Sequence, residues 1–347
     1  FQEQLLRMVM IAASFTGGEA EELRRAIGFK RSVERMQLIE GKLRRGLHAN
    51  GIYGEGEERI VKAVTSFALF GFPESHSASF ALIAYSSSYL KAHYPAAFYV
   101  SLLNAQPMGF YSPATLVQDA QRHGVRVKPI DVGVSDLRCR VETDERIRIG
   151  LNYVSGITTA SAVRIVTQRA IEKFRSIDDF TRRTQLRKNE LETLAKIGAL
   201  NSLGEQVHRR DALWQVEKAW RSRGPLFQNL EETEEPSPLE AMTPAERLDA
   251  DYRGASLTTG PHPLHYQRAQ LNALGVVAAA RLPALDNGRP VRVAGMVITR
   301  QRPMTAKGFV FLSLEDETGV SNVVVRPPMF QKDRSLWTSE PALLIDG

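Results

Sequence analysis

Three short constellations in this sequence carry side chains able to do chemistry. Ser75-His76-Ser77 sets hydroxyls beside an imidazole, the pairing that activates a serine nucleophile at neutral pH. Adjacent residues rarely reach the required geometry, and no orienting acid or oxyanion turn accompanies them. Asp249-Ala250-Asp251 offers two carboxylates, as a two-metal site would, without a third and without a preceding buried strand. His262-Pro263-Leu264-His265 places two imidazoles three apart, but Pro263 prevents a regular helix and no third ligand is near. The single cysteine, Cys139, and seven histidines without a CxxC pair leave no zinc-finger spacing. No complete reaction centre assembles. The chemistry these residue types support is electrostatic.

The net charge of +6 is unevenly placed. Gln228 to Asp251 holds eight acids and one base, so the remainder carries +13. Prolines 236, 238 and 244 interrupt the acidic stretch, which reads as a solvated linker and hinge. Arg24 to Arg45 holds eight bases, among them Arg24, Arg25 and Lys30, against Glu34 and Glu40. Such a stretch neutralises phosphates or forms a solvated helix face, and charge alone leaves both readings open.

Periodicity predicts the elements that would hold these groups. Helices fit Gln2–Ser14, Ala20–Ile27, Val33–Asn50, Glu57–Phe70 and Ser77–His93; Pro95 breaks the last and a further helix runs to Leu103. The pair around Pro95 has apolar residues on all sides and is expected to be buried. Gly51, Gly54 and Gly56 read as turns, since no strand precedes them and no Gly-Lys-Ser/Thr follows. Farther on, Ser155-Gly156-Ile157-Thr158 opens a helix, and a second helix and turn at Gly198 leads to a helix over Glu205–Arg221. A glycine hairpin before a helix leaves backbone N–H groups free for a phosphate, with Gly156, Thr158, Arg164, Lys188, Gly198, Arg209 and Arg210 as candidates; an ordinary packed hairpin is the alternative. After the acidic stretch, VRVAGMVITRQR, GFVFLSLED, VSNVVVRP and ALLIDG alternate as strands, with MFQKDR a short helix between the last two. That order begins a five-stranded oligonucleotide-binding barrel. Arg300, Arg302, Lys307 and Arg326 beside Phe309, Phe311 and Phe330 suit phosphate contact and base stacking, although alternating Phe and Val also fill a barrel, the reading favoured for Phe311.

At 43% hydrophobic and 24% charged, the composition excludes disordered and fibrous classes, and 347 residues suffice for two or three domains. No apolar run approaches the ~20 residues of a membrane span, and no signal peptide is apparent. With one cysteine the compartment reads as reducing, hence cytoplasmic. The chain opens inside a helical pattern at Phe1 and closes on Asp346-Gly347, which suggests a fragment of a longer protein.

FQEQLLRM, ELRRAIGFKRSVERM, ANGIYGEGEERI, FGFPESHSASFALIAYSSSYLKAHYPAAFYVSLLNAQPMGFYSPATLVQDAQRHGV and VRVAGMVITRQRPMTAKGFVFLSLEDETG together resemble the C-terminal part of bacterial C-family DNA polymerases. Pro73-Glu74 ahead of Ser-His-Ser, QPMGFYSP and RQRP resemble the error-prone, damage-inducible paralogue of the DNA polymerase III alpha subunit. The resemblance implies α-helical fingers over 1–135, a tandem helix-hairpin-helix region over 136–225, an acidic linker with a connecting helix over 226–285, and an incomplete OB-type barrel over 286–347. It further implies a multidomain parent that joins deoxynucleoside triphosphates to primer–template DNA with Mg2+, the metal ligands lying outside these residues. The fragment alone is then inert. Arg24 and Arg25 match a family Arg-Arg pair suited to triphosphate charge, and Lys30, Ser75 and His76 complete the nucleotide-site candidates. Thr158 replaces the second glycine of the hairpin's usual Gly-x-Gly. Gly224-Pro225-Leu226-Phe227 lacks the glutamine of a sliding-clamp peptide, Arg223 standing there, so clamp contact is expected through a translesion accessory protein. A non-enzymatic DNA-binding adaptor with hairpin and barrel modules remains the alternative.

Overall fold

The structure is a computed structural model that describes residues 1–28, 33–70, 73–109, 111–204, 207–220, 237–303 and 306–347. It divides into two compact units, Phe1–Tyr89 and Leu90–Gly347.

In the first unit α1 (Gln2–Ala12), α2 (Gly17–Gly28), α3 (Val33–Ala49) and α4 (Glu55–Phe70) pack around Leu5, Val9, Leu23, Ile39, Leu43, Leu47, Val61 and Val64. The buried positions of α3 recur every four residues, the stripe an amphipathic helix lays on a core. Gly46 lets α3 meet the end of α1, because a Cβ there would lie 2.2 Å from the Ala13 carbonyl oxygen. The Asn50 side chain donates to the Ala12 carbonyl at 2.9 Å and closes that helix end.

Helix α5 (Glu74–His93) spans the division between the units, and none of its side chains is buried. This corrects the expectation of a buried pair around Pro95: α6 (Pro95–Asn104) sinks Ala96, Tyr99 and Leu103, whereas Phe80, Leu82, Ile83 and Tyr85 of α5 stand exposed. Apolar residues all round a helix require partners on every side, and the described residues supply them only to α6.

The second unit continues with α7 (Pro113–Arg122) and a three-stranded sheet of β1 (Arg126–Lys128), β2 (Arg140–Thr143) and β3 (Arg146–Arg148), ordered β1-β3-β2. Against it lie α8 (Thr159–Ile171), α9 (Ile177–Thr184), α10 (Lys188–Lys196) and α11 (Arg209–Trp220), which share one core through Tyr99, Val117, Ile147, Ile165, Phe180, Leu194 and Val216. Each such fully buried side chain contributes roughly 1.5–3 kcal/mol of transfer free energy.

Of the acidic stretch, residues 228–236 lie outside the described residues. Its later part is helical: α12 (Pro244–Ala255) starts at a capping box of Thr243 and Glu246, keeps most of its first turns exposed and meets α10 at its end, where a Cβ on Gly254 would lie 2.3 Å from Ile197. A strap follows through α13 (Arg268–Ala273). The chain then builds β4 (Arg292–Gln301), β5 (Val310–Glu315), β6 (Val320–Val325), α14 (Pro327–Lys332), α15 (Arg334–Ser339) and β7 (Ala342–Asp346), in the antiparallel order β6-β5-β4-β7.

Long β4 serves both neighbours. Met296 pairs with Glu315 of β5 and with Ala342 of β7, so the sheet curls about this residue, helped by a register shift between Val297 and Thr299. The result is a helical chain with hairpins followed by a curled half-barrel, consistent with a truncated OB-type domain. Val310, Leu312, Leu314, Val325, Phe330 and Trp337 fill the barrel. Phe311 is not among them, contrary to expectation: it points away and is 40% exposed, because the inward parity of β5 belongs to Val310, Leu312 and Leu314.

Candidate nucleic-acid interface

The first hairpin turns at Gly156, whose φ of +78° lies in the left-handed region that favours glycine. Thr158 is the N-cap of α8, and its hydroxyl accepts from the Ser161 amide at 3.0 Å. The position where a phosphate was expected already holds an anion. Glu190 of α10, 1% exposed, accepts from the Thr158 amide at 3.0 Å and from the Arg187 amide at 3.0 Å. Burial would raise this carboxyl, but these backbone donors hold it below the ordinary range. Arg164 donates to the carbonyls of Thr184 and Gln185 and so finishes α9.

The second hairpin turns at Gly198, with Arg209 folded over it. Arg209 pairs with Asp251 at 2.8 Å and donates to the Arg247 carbonyl; Arg210 pairs with Glu246 at 2.6 Å and donates to the Glu240 carbonyl. Lys188 pairs with Glu217 at 2.9 Å. Helix α12 thus supplies internal counterions for arginines read from sequence as phosphate ligands.

The basic stretch of the first unit is similarly engaged. Arg24 makes a bidentate pair with Glu21 at 2.7 and 2.6 Å, and Arg25 reaches the same carboxylate at 3.3 Å. The Arg24 guanidinium holds Glu21 down to about 2. Lys42 pairs with Glu19, and Arg44 with Glu40, Glu57 and Glu58. Lys30 lies outside the described residues, as does the Gly224–Phe227 segment considered for clamp contact. Ser75 and His76 sit in the first turn of α5, where the imidazole packs on Phe80 with centroids 4.4 Å apart.

The barrel differs. Arg300 is spent on the carbonyls of Trp337 and Glu340. Arg302 lies over the buried ring of Phe330 at 4.9 Å, so that phenylalanine is a platform under an arginine and not a free base stacker. Arg302, Lys307 and Arg326 are exposed and form no ion pair among the described residues. They gather at one end: Gly308 approaches Arg302 and Pro327, and Val310, just after Phe309, pairs with Val325, just before Arg326.

The chemical oddities of the sequence resolve as structure. His262 is 3% exposed and its Nδ1 accepts from the Leu264 amide, and burial pushes the imidazole down to about 4. Asp249 and Asp251 face Arg253 and Arg209. Burial pushes the Cys139 thiol up to about 11, which leaves it inert at neutral pH. Among the described residues no group of three His, Cys, Asp or Glu side chains is placed to hold a metal ion. Glu190 was missed although it stands three residues after the α10 N-cap, the spacing of a capping box.

Two family models match the sequence. Residues 1–51 match the bacterial DNA polymerase III alpha subunit finger domain, and residues 124–212 match the helix-hairpin-helix motif. Over its whole length the chain is 42% identical to an error-prone DNA polymerase of Anaeromyxobacter sp. (strain K) and 43% identical to one of Corynebacterium glutamicum. The chain is homologous to a C-terminal part of error-prone DNA polymerases. It spans 31% of the Anaeromyxobacter protein, 32% of the Corynebacterium protein and 31% of a Rhodopirellula baltica relative that is 42% identical. The finger match covers α1, α2 and α3, and the hairpin match runs from the small sheet into α11. No helix among the described residues is long and apolar enough to cross a membrane.

Proposed function

We propose that this chain is the DNA-binding and nucleotide-positioning part of an error-prone DNA-directed DNA polymerase, acting in replication and damage-tolerant synthesis in the cytoplasm. Identity of about 42% with error-prone polymerases across the entire chain carries this reading. The parent joins deoxynucleoside triphosphates to a primer with Mg2+ held by residues beyond this chain. The fragment alone is inert and contributes affinity for primer–template and single-stranded DNA. Clamp contact runs through an accessory protein.

Fluorescence anisotropy with labelled primer–template tests the binding role. Binding weakens steeply between 50 and 400 mM salt if phosphate contacts supply the affinity; binding that is indifferent to salt overturns the reading. In the full-length polymerase, Arg24→Ala with Arg25→Ala lowers kcat/KM for the incoming nucleotide roughly a hundredfold, as for lost charge-assisted contacts. Unchanged kinetics would return both arginines to a purely local role beside Glu21.

A further inference from the structure

The small sheet of the second unit has two unlike faces. Val127 of β1 and Ile147 of β3 pair in register and are buried in the core they share with α6 and α7. Side chains alternate along a strand, so the residues on either side of these two point the other way, and they are basic. Arg126 lies opposite Arg146, Lys128 opposite Arg148, and Arg148 opposite Arg140 of β2. With strands about 4.8 Å apart and alternate residues about 7 Å apart, five cations share one face.

Like charges set directly opposite one another are destabilising, and internal acids relieve only part of this face. A register shift between Val141 and Thr143 leaves Glu142 as an extra residue, and its carboxylate accepts from Arg148. The Arg148 guanidinium, with Arg140 and Arg146 adding to it, holds Glu142 below the ordinary carboxylate range. Arg140 turns to Asp136 at 2.9 Å. Arg126, Lys128 and Arg146 form no ion pair among the described residues, and the Arg146 Nε is buried without a hydrogen-bond partner. Asp144 and Glu145, in the turn between β2 and β3, are exposed and pair with none of the three.

The residues of these strands include no aromatic side chain on which an unpaired base could stack. A sequence-independent grip on paired strands needs phosphate contacts alone. We propose that Arg126, Lys128 and Arg146 form a binding site for the phosphate backbone of duplex DNA, the paired part of the primer–template. The bound polyanion relieves the like-charge crowding that the register builds in. The inference rests on the DNA-binding reading and gives it a place: the duplex lies on the small sheet, whose cations are unspent, while the hairpins beside it serve as scaffold.

Fluorescence anisotropy of the 347-residue chain, with a labelled duplex of about 20 base pairs and a single strand of equal length, tests the site. Arg126→Gln with Lys128→Gln and Arg146→Gln weakens duplex binding roughly tenfold or more, and the slope of log affinity against log salt shrinks by about 2 to 3. Single-strand binding, which falls to the barrel, keeps its affinity and slope. The thermal midpoint of this variant holds or rises, because the crowding is gone. Lys173→Gln with Arg281→Gln and Arg289→Gln removes as many exposed cations elsewhere and leaves the duplex slope nearly unchanged. Unchanged duplex affinity and slope in the sheet variant overturn the proposal, as does an equal loss for duplex and single strand, or an equal effect of the second trio. Should the sheet variant fail to fold, Arg126→Gln with Lys128→Gln carries the same comparison with a slope change of about 2. A parent that binds single strands but not duplex overturns the site alone; one that binds neither overturns the DNA-binding reading and the site with it.

Discussion

The hairpin region and the barrel both carry arginines that sequence marks as phosphate ligands, yet they dispose of them in opposite ways. Around the hairpins the cations are consumed internally: Arg209 by Asp251, Arg210 by Glu246, Lys188 by Glu217, and the Thr158 amide by Glu190. In the barrel the acids turn toward Arg122 and Arg268, which leaves Arg302, Lys307 and Arg326 without internal counterions among the described residues. Where the acids go, and not how many bases a segment holds, decides which surface stays cationic. Counterion release follows the same rule, since an arginine already facing a carboxylate gains less from a phosphate.

The strongest test of the spent hairpin is Glu190→Ala. It leaves two amides, those of Thr158 and Arg187, without an acceptor at a site 1% exposed, and such a pair of losses costs about 3 kcal/mol. Urea unfolding measures it. A loss below about 1 kcal/mol would mean that water or a phosphate satisfies the Thr158 amide equally well, and the hairpin would regain its place as an anion site.

A second test contrasts the two regions directly. Arg209→Ala with Arg210→Ala breaks two ion pairs and two carbonyl contacts, destabilising the chain by about 2 kcal/mol with little change in the salt dependence of DNA binding. Replacing Arg302, Lys307 and Arg326 by alanine does the reverse: stability holds, while the slope of log affinity against log salt for single strands shrinks by about 2. If the hairpin pair moved the slope and the barrel trio did not, the roles of the two regions would be inverted.

Sequence reading recovers these regions unequally for physical reasons. Helices α1 to α6 follow from apolar spacing and from Pro95, and the barrel strands from their alternation. Strands β1 to β3 were invisible, because segments of three or four residues such as Arg126–Lys128 and Arg146–Arg148 place a basic residue at each end and bury a single apolar residue between. Phe311 was misplaced because period two reveals alternation but not which parity faces in. The ion pairs were out of reach altogether: Arg122 and Glu315 lie 193 positions apart, and only the folded chain brings them together.

The smallest effect concerns His262, which sits at the seam between the strap and the barrel with Asp316, Glu317, Arg122 and Arg268 around it. Burial favours the neutral imidazole, lowering it from 6.5 to about 4 against the pull of the two acids. Between those values the unfolded chain binds the proton and the folded chain does not, so stability falls as pH drops through this window. At pH 6 the loss is about 1 kcal/mol or slightly less, growing toward pH 4. Asp316, held low by Thr318, Ala279 and Gly319 despite its burial, loses its contribution only below the ordinary carboxylate range, and Glu315, raised by burial, acts with the opposite sign. Comparing thermal midpoints of the parent and His262→Gln at pH 7.5 and 6 therefore isolates the imidazole: the variant has the flatter dependence. Parallel dependences would mean that His262 takes up its proton in the folded chain, and the seam would then be far wetter than the barrel core it adjoins.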